Sequence, residues 1–430
     1  MVFSLKNETA QTRRRLLLLC LLVFAASCIV SLAYGDRLLL GSYAKMNDDD
    51  VKYAQTADRL LETGVLSYNT GEAPSTFIMP LFPLLLAGAK WIAGEAGGVI
   101  LLRLLQGAFQ AFGVYLMFVL ARRVFGSGRT AMTAAVLLAV YLPDYFVSGS
   151  ILTESGFRLC LMLSVCWLFK GLDKPGVLNW ALFAVFWTAL CYFKPHAALL
   201  PLVPGLFWLA RRYAFDKMLG YTAVILGVFA LLMSPWWIRN YEAFGRFIPF
   251  TEAVGSPMIL GSTAFGQVPD GFYDKYPEYG GDVMSGSDDS MAQAAGRMVA
   301  YGFMHEPFKY AAFYTAGKFG GLYGIAYWER PIMGLTWAPY FPIHAAYVLL
   351  GLYGIWLAYR KKWSGASVPL AVLAYFTLIY VPFIAIPRYG YPNLFLFALF
   401  AAPALLALHD RYRARRAALR GEGTAVRSDL

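Results

Sequence analysis

Three consecutive aspartates, Asp48, Asp49 and Asp50, are the strongest candidates for chemistry in this chain. Tyr53 and Ala57 follow at helical spacing, so the aspartates stand at the start of a predicted helix, where carboxylates cap and stabilise the first turn. Capping is one interpretation. The other is general-base catalysis, because adjacent carboxylates near a low-dielectric boundary repel one another and raise the proton affinity of at least one.

A second carboxylate, Glu154, opens an apolar segment after Leu152-Thr153. A carboxylate at a membrane face is costly unless it is partnered. Glu154 is therefore interpreted either as part of a helix cap with Thr153 and Ser155 or as a member of a functional site.

Three cations, Lys194, Arg239 and Arg388, stand at the ends of apolar runs. They face the outer side of the membrane, where the positive-inside rule does not favour basic residues. Each is either an interfacial anchor that reaches lipid headgroups or part of a phosphate site, for which lysine and arginine are suited. The 4 histidines have no metal-ligand spacing, and His305 alone remains a marginal binding candidate.

The composition indicates what kind of protein positions these residues. Of the 430 residues, 59% are hydrophobic and 15% are charged, against about 25% charged residues in ordinary soluble domains. The apolar residues fall into runs of about 18 to 22, long enough to cross a bilayer as helices. The sequence therefore predicts an all-α polytopic membrane protein and excludes a water-soluble domain, a secreted protein and a disordered chain.

The net charge of +11 indicates topology. Basic residues concentrate in short connections and at the two ends of the chain, as the positive-inside rule predicts for cytoplasmic segments. We therefore expect no nucleic-acid partner, and we expect a multi-pass plasma (inner) membrane protein with both termini in the cytoplasm.

About ten transmembrane helices place the basic connections and both ends of the chain on the cytoplasmic side. They are predicted at 16–34, 99–121, 131–147, 155–170, 177–193, 196–210, 218–236, 341–358, 367–385 and 392–408. Residues 80–93 are apolar but short, and are predicted to form a re-entrant or interfacial helix.

The expected organisation has four parts. A transmembrane catalytic module covers 1–236 and includes the first outer loop, 36–98. A large extracytoplasmic loop covers 237–340, C-terminal transmembrane helices cover 341–410, and a basic cytoplasmic tail covers 411–430.

In this order, the motifs resemble integral-membrane glycosyltransferases of the GT-C class, in particular the branch of protein O-mannosyltransferases and the lipid A aminoarabinose transferase. The matching segments are Asp49-Asp50-x-x-Tyr53-Ala54, Met79–Leu84, Leu152–Glu154, Phe193–Pro195, Trp237–Tyr241 with Phe244-Gly245, and more loosely His305–Pro307 and Arg388-Tyr389. The chain departs from the family at Phe77–Met79, where the aminoarabinose transferase has a lysine before a Pro-Pro pair.

The resemblance implies a fold, a reaction and a set of site residues. The fold would be a GT-C bundle, and the donor a polyprenyl-phosphate-linked sugar presented at the outer face of the membrane. Asp49, in the place of the family's catalytic Asp, would accept the proton of an acceptor hydroxyl, and the reaction would invert the anomeric carbon. Asp50 takes the place of the second acid, and Glu154 would orient the acceptor or act with Asp49.

The resemblance also implies substrate-binding residues and partners. These residues would be Tyr53, Lys194, Arg239, Asn240, Tyr241, His305 and Arg388. The acceptor would be a lipid, a glycan or a protein, and membrane lipids would surround the helices. Asp48 to Asp50 offer oxygen ligands for a divalent metal, but the nearer branch does not require one, so no cofactor is expected.

Two alternatives remain from the sequence. A transporter or lipid flippase would place charges near mid-membrane in paired halves, and the unusual charges here fall at segment ends. An O-antigen polymerase or ligase would suit the large outer loop but would leave the Asp-Asp-x-x-Tyr segment unexplained.

Overall fold

The computed structural model describes residues 4–281 and 283–419, and within these ranges the chain is α-helical, with two isolated bridges in place of any sheet. Short 3₁₀ turns and one π-helical turn (Phe313–Gly317) join the helices. The α-helices are α1 (Ala10–Tyr34), α2 (Asp49–Thr63), α3 (Leu81–Phe125), α4 (Gly128–Ala139), α5 (Pro143–Gly149), α6 (Glu154–Asp173), α7 (Val177–Phe193), α8 (Leu202–Ala210), α9 (Phe215–Phe244), α10 (Gly255–Ser262), α11 (Phe272–Lys275), α12 (Asp288–His305), α13 (Pro307–Ala312), α14 (Lys318–Tyr323), α15 (Trp337–Arg360), α16 (Ser367–Leu378), α17 (Pro387–Gly390) and α18 (Leu394–Leu419).

The long apolar helices make this a multi-pass membrane protein. In the described part of the chain, 6 helical stretches are long and apolar enough to cross a membrane by length and composition, and α4 with α5, bent by 58°, could form another span. Those stretches are Ala10–Leu38, Leu81–Phe125, Glu154–Asp173, Phe215–Phe244, Trp337–Arg360 and Pro387–Leu419. The other predicted crossings coincide with shorter apolar helices, α7, α8 and α16. A helix therefore lies at every predicted crossing, and the count of ten remains a prediction.

Gly94 divides α3 into two helices. Its φ of 76° lies in the left-handed region, which glycine adopts without steric cost. After this break the chain folds back, because a Cβ added to Gly98 would lie 2.3 Å from the Cα of Lys90, whereas a straight helix would separate these residues by about 12 Å. The predicted short helix at 80–93 is thus a separate element, and its Lys90 ammonium binds the Asp58 carboxylate of α2.

Small residues allow the C-terminal helices to approach closely. A Cβ added to Gly354 of α15 would lie 1.8 Å from the Phe400 carbonyl oxygen of α18, and one added to Gly351 would lie 2.9 Å from the Phe397 side chain. Close approach of this kind drives helix association in membranes, where van der Waals packing replaces the hydrophobic effect. Residues 394–402 of α18 are buried in the bundle.

The segment between α9 and α15 has a small core of its own. Buried residues of α10, α11 and α12, including Ile259, Phe272 and Met298, form a hydrophobic cluster separate from the main bundle core. Both Asp288 carboxylate oxygens accept backbone N–H groups at the start of α10, from Val254 at 3.0 Å and Gly255 at 2.7 Å. This anchor fixes α10, whose N-terminal half faces the site described below. Of the predicted basic tail, 411–419 continue α18 and 420–430 lie outside the described residues.

Candidate active site

Two carboxylates and two cations from four distant parts of the chain meet in one cluster: Asp49, Glu154, Lys194 and Arg388. Arg388 Nη1 donates to Asp49 Oδ2 at 2.6 Å and its Nε donates to Glu154 Oε1 at 2.7 Å. Lys194 Nζ donates to the same Glu154 oxygen at 2.8 Å. The structure therefore brings together four residues that were predicted separately from the sequence.

The start of α2 aims Asp49 into the cluster. Asp48 is the N-cap, and its side chain accepts the Asp49 backbone N–H at 2.8 Å. The second oxygen of Asp49, Oδ1, accepts a hydrogen bond from the Tyr68 hydroxyl. Tyr68 is itself held by ring contacts with Tyr53 and Phe77, so the loop after α2 fixes the orientation of the Asp49 carboxylate.

Glu154 and Lys194 meet because α6 and α7 pack tightly at this end. Gly156 of α6 leaves room for the Phe193 ring, since a Cβ there would lie 2.4 Å from the ring. Phe193 is the last residue of α7, and the extended backbone of Lys194 (φ −153°) turns its side chain toward Glu154 at the start of α6. The side chain of Glu154 is 0% exposed, and a buried charge of this kind requires partners such as the two cations.

Arg388 is carried by the short helix α17. Pro387 begins this helix, and Gly390 lies directly against the Leu322 backbone of α14, since a Cβ added to this glycine would lie 1.9 Å from the Leu322 carbonyl oxygen. From this helix the Arg388 side chain, which is 13% exposed, reaches both carboxylates. The next residue, Tyr389, stacks on Tyr380 with centroids 5.1 Å apart and lies 5.2 Å from the Lys194 ammonium.

The cluster opens into a cavity of about 540 Å³. Asp49, Tyr53, Lys194 and Arg388 line one side of it. Most of the remaining wall is apolar and comes from Phe77–Met79, α10 and residues 379–384. The Asp49 side chain is 39% exposed, so its carboxylate is open to a bound molecule, whereas Glu154 lies behind the cations.

The electrostatic surroundings keep Asp49 ionised. Burial alone would raise the pKa of Asp49, but the Arg388 guanidinium and the Tyr68 hydroxyl outweigh it and hold the pKa below its ordinary value. Burial first, and the Asp49 charge second, raise the pKa of Tyr68, which is consequently a neutral hydrogen-bond donor. The resting site thus holds an ionised, accessible carboxylate beside a guanidinium.

An apolar groove of about 520 Å³ adjoins this cavity. It runs along α7, α8 and α9, with Trp187, Leu206 and Ile225 among its walls. Ala198 and Leu199 belong to both the groove and the cavity, so the two spaces share a wall four to five residues after Lys194.

Asp50 is not brought to the cavity. Its side chain is 0% exposed, and its oxygens accept the backbone N–H groups of Leu40 and Gly41. Consecutive helical residues point about 100° apart, so Asp49 and Asp50 face different surroundings. Asp50 ties the loop after α1 to the first turn of α2, and the predicted catalytic position of this residue is not supported by its placement.

Arg239, Asn240 and Tyr241 lie at the end of α9, apart from the cluster. Arg239 donates from Nη1 to the Ser75 carbonyl at 3.0 Å and from Nη2 to the Leu66 carbonyl at 2.9 Å. Buried Asn240 donates to the Ile248 carbonyl at 3.0 Å, and Tyr241 is 63% exposed. None of the three lines the cavity among the described residues. Arg239 instead holds the loop that carries Tyr68.

His305 ends α12 at the rim of the separate small core. Its ring stacks on Tyr301 with centroids 3.8 Å apart, and its Nδ1 contacts the Tyr301 carbonyl oxygen at 2.9 Å. These contacts are local to α12, and the structure does not bring His305 to the cluster.

Three aromatic groups at the site carry no signal in the sequence. Tyr68 bonds Asp49, and His196 with Tyr380 lines the cavity, the Tyr380 hydroxyl lying 3.0 Å from His196 Nε2. The spacing of the histidines bears only on metal binding, and Tyr68 and Tyr380 are two of the 28 tyrosines in the chain. No sequence pattern therefore singles out these three residues. No cluster of three or more metal-ligating side chains occurs within 4–281 and 283–419.

Solved structures share this architecture, although no protein-family model and no curated protein sequence matches the chain. ArnT from Cupriavidus metallidurans bound to undecaprenyl phosphate superposes with a TM-score of 0.55 at 15% identity, covering 90% of this chain and 59% of ArnT. The Archaeoglobus fulgidus oligosaccharyltransferase tethered to an acceptor peptide gives 0.51 at 15% identity, covering 95% of this chain and 52% of that protein. The oligosaccharyltransferase AglB of the same organism, with an inhibitory peptide and a dolichol-phosphate, gives 0.50 at 13% identity, covering 96% and 52%.

These comparisons define the class by its fold. ArnT, the lipid A aminoarabinose transferase, and AglB are both GT-C glycosyltransferases, so the resemblance is confirmed at the level of the fold, and the chain has the GT-C fold. The chain spans a little over half the length of these proteins, 59% of ArnT and 52% of AglB.

Proposed function

We propose that this protein is an inverting glycosyltransferase that moves a sugar from a polyprenyl-phosphate-linked donor to an acceptor hydroxyl. The observation that carries the proposal is the cavity in which the accessible carboxylate of Asp49 stands beside Arg388 and Lys194. A base next to two cations suits a reaction in which one oxygen loses a proton while another gains negative charge.

In the proposed reaction, Asp49 accepts the proton of the acceptor hydroxyl as that oxygen attacks the anomeric carbon. The bond between the anomeric carbon and the phosphate oxygen breaks, and its electron pair leaves with the polyprenyl phosphate. Attack from the side opposite the leaving group inverts the anomeric configuration. The transition state carries growing charge on the phosphate, and interactions that strengthen with that charge accelerate the step.

Arg388 and Lys194 are the proposed phosphate ligands, since both are cavity-lining cations. Glu154 is 0% exposed and bonds both of them. We therefore propose Glu154 as a positioning residue that holds the two cations side by side, whereas the resemblance implied that it would orient the acceptor or act with Asp49.

The ion pair between Arg388 and Asp49 couples donor binding to base strength. A donor phosphate near Arg388 adds negative charge beside Asp49 and competes for the guanidinium. Both effects raise the pKa of the Asp49 carboxylate. Asp49 thus becomes a stronger base when the donor is present, which suits a base that is held below its ordinary pKa in the resting site.

The apolar groove along α7 to α9 is the proposed place of the polyprenyl chain. The groove shares the apolar residues Ala198 and Leu199 with the cavity. When the lipid phosphate lies at Lys194, the polyprenyl chain can therefore pass from the cavity into the groove along apolar surface. The presence of undecaprenyl phosphate in ArnT and of dolichol-phosphate in AglB supports a lipid-linked donor. The acceptor peptide tethered to the Archaeoglobus fulgidus oligosaccharyltransferase illustrates one of the three acceptor classes, protein, glycan and lipid.

We further propose ten membrane crossings in the plasma (inner) membrane, with both termini cytoplasmic and the site extracytoplasmic. The basic ends of α3, α6 and α15 support this orientation by the positive-inside rule. Metal-independent catalysis is also proposed, because Arg388 and Lys194 already supply positive charge next to both carboxylates.

The proposal is tested by comparing envelope glycans and glycoproteins by mass spectrometry in cells that lack the protein and in cells complemented with variants. Asp49→Asn keeps the shape but removes the base, and is expected to lower transfer by a factor of about 10² to 10⁴. Asp48→Asn is the matched control, because asparagine is also a good N-cap and Asp48 caps α2 without lining the cavity.

Wild-type and Asp48→Asn cells should share a glycan that the deleted and Asp49→Asn cells lack, with equal amounts of inserted protein in all. An unchanged envelope in the deletion, or full transfer by Asp49→Asn, would contradict the proposed function.

A further inference from the structure

A second cavity, of about 380 Å³, lies at the opposite end of the bundle from Asp49. Its wall comes from the ends of α3 and α6 and from residues 4–8, which precede α1. Lys170 of this wall stands roughly 24 Å along α6 from Glu154, at about 1.5 Å per residue. The cavity therefore has no part in the site described above, and its volume falls in the range of about 300–1,000 Å³ typical of ligand pockets.

The cavity combines a cationic rim with an apolar interior. Its rim carries four cations, Arg122, Arg123, Lys170 and Lys174, against two carboxylates, which leaves an excess of +2. Glu8 pairs with Arg122 at 2.6 Å and Asp173 with Arg123, the pairs accounting for both carboxylates. Within the described residues, Lys170 and Lys174 have no carboxylate at ion-pair distance.

The interior is built for a hydrocarbon chain. Phe118, Cys166 and Phe169 are buried at its base, and Val119 and Leu5 complete the apolar wall. The Arg123 guanidinium lies 5.2 Å from the Phe169 ring centre, at the boundary between the rim and the interior. A ligand that suits this site has an anionic head and an apolar tail.

The position at the ends of membrane helices indicates where such a ligand comes from. Basic pockets between transmembrane helices on the cytoplasmic side bind the headgroups of anionic lipids. We propose that this cavity binds one acidic glycerophospholipid of the surrounding bilayer. Its phosphate lies between Lys170 and Lys174, and an acyl chain lies against Phe118 and Phe169. The proposal does not depend on the glycosyltransferase activity.

The experiment is native mass spectrometry of the full-length detergent-purified protein, titrated with palmitoyl-oleoyl phosphatidylglycerol or with the zwitterionic phosphatidylcholine of the same chains. The test variant is the double substitution Lys170→Gln and Lys174→Gln. The control is Lys361→Gln with Lys362→Gln, which removes the same charge from an exposed pair, and in each pair one lysine lies over a tryptophan ring, Lys170 on Trp167 and Lys361 on Trp363.

We expect wild type and the control to retain phosphatidylglycerol at least tenfold better than phosphatidylcholine. The test variant should lose about fivefold in phosphatidylglycerol affinity for each lysine removed, since one basic residue near a lipid surface contributes about that factor. Equal retention of the two lipids, or equal affinity in wild type and the test variant, would overturn the proposal.

A second measurement separates a lipid headgroup from a free anion. Inorganic phosphate at millimolar concentration and dihexanoyl phosphatidylglycerol are added as competitors. Because the apolar interior holds the acyl chain, the long-chain lipid should be displaced neither by inorganic phosphate at this concentration nor by dihexanoyl phosphatidylglycerol at a concentration equal to its own. Displacement by inorganic phosphate would show a small-anion site and would refute the lipid assignment.

Discussion

Arg388 follows Asp49 by 339 residues, yet its Nη1 lies 2.6 Å from Asp49 Oδ2. The same guanidinium reaches Glu154 through Nε, so one arginine joins the first turn of α2 to the first turn of α6. Ion pairs removed from water contribute little net stability, because desolvation offsets their attraction. Their concentration around a cavity therefore supports a role in binding and catalysis more than one in folding.

The first prediction concerns Tyr68→Phe, which removes the hydroxyl bonded to Asp49 Oδ1 but keeps the ring. The Tyr68 hydroxyl lowers the pKa of Asp49, so its loss raises that pKa. The acidic limb of the kcat/KM profile should move to higher pH. The ionised Asp49 also stabilises the folded protein at pH values above the pKa that this carboxyl has in the unfolded chain, and this contribution is lost as the pH falls. It should be smaller in Tyr68→Phe than in the wild type.

The measurement is a pH series of transfer from a polyprenyl-phosphate-linked sugar, with Tyr43→Phe as the control, since Tyr43 is exposed in the loop between α1 and α2. An acidic limb at the wild-type position in Tyr68→Phe would mean that the hydroxyl does not tune Asp49.

The second prediction concerns Lys194→Gln. Glutamine keeps a donor for Glu154 but removes the charge offered to phosphate. Undecaprenyl phosphate should bind about 10- to 100-fold more weakly, because hydrogen bonds to charged groups contribute about 1.5–3 kcal/mol. Titration calorimetry in detergent measures this directly. Lys45→Gln, at an exposed position of the first loop, should bind as the wild type does, and equal affinity in both variants would remove Lys194 from the donor site.

The third prediction separates positioning from contact at Glu154. Glu154→Gln leaves Lys194 and Arg388 with one fewer negative charge, so undecaprenyl phosphate should bind at least as tightly as before. Because the cations lose the group that fixes them, kcat should fall about 10²-fold with no rise in donor KM. Glu154→Asp should restore part of kcat. A rise in acceptor KM alone would instead show that Glu154 contacts the acceptor.

The sequence was sufficient to predict the members of the cluster but not all of their roles. Asp49, Glu154, Lys194 and Arg388 are each marked by a charge at the end of an apolar run, which is costly without a function. Arg239 carries the same mark, yet it binds the carbonyl groups of Leu66 and Ser75, 173 and 164 residues earlier in the chain. Backbone carbonyls exist at every residue, so no sequence pattern identifies such a partner.

The fold was predictable to a similar depth. Apolar runs locate helices because the bilayer requires internally bonded backbone, and a helix lies at each predicted crossing. Periodicity does not settle the exact face of α2, so the division of roles between Asp49 and Asp50 needed the structure. Tyr68 was missed because its function comes from a loop held by Arg239, a tertiary contact.

The last prediction concerns Gly94, where α3 folds back so that Lys90 can reach Asp58 of α2, the helix that begins with Asp49. Gly94→Ala places a side chain at φ 76°, which costs an L-residue about 1–2 kcal/mol. Gly88→Ala is the matched control, because Gly88 is helical and a Cβ there meets nothing within 4 Å. Replacing a helical glycine by alanine stabilises by about 0.5–1 kcal/mol. Thermal unfolding in detergent should therefore shift downward for Gly94→Ala and slightly upward for Gly88→Ala. Equal midpoints in the two variants would show that α3 continues straight through Gly94 and that the short helix is part of a longer span.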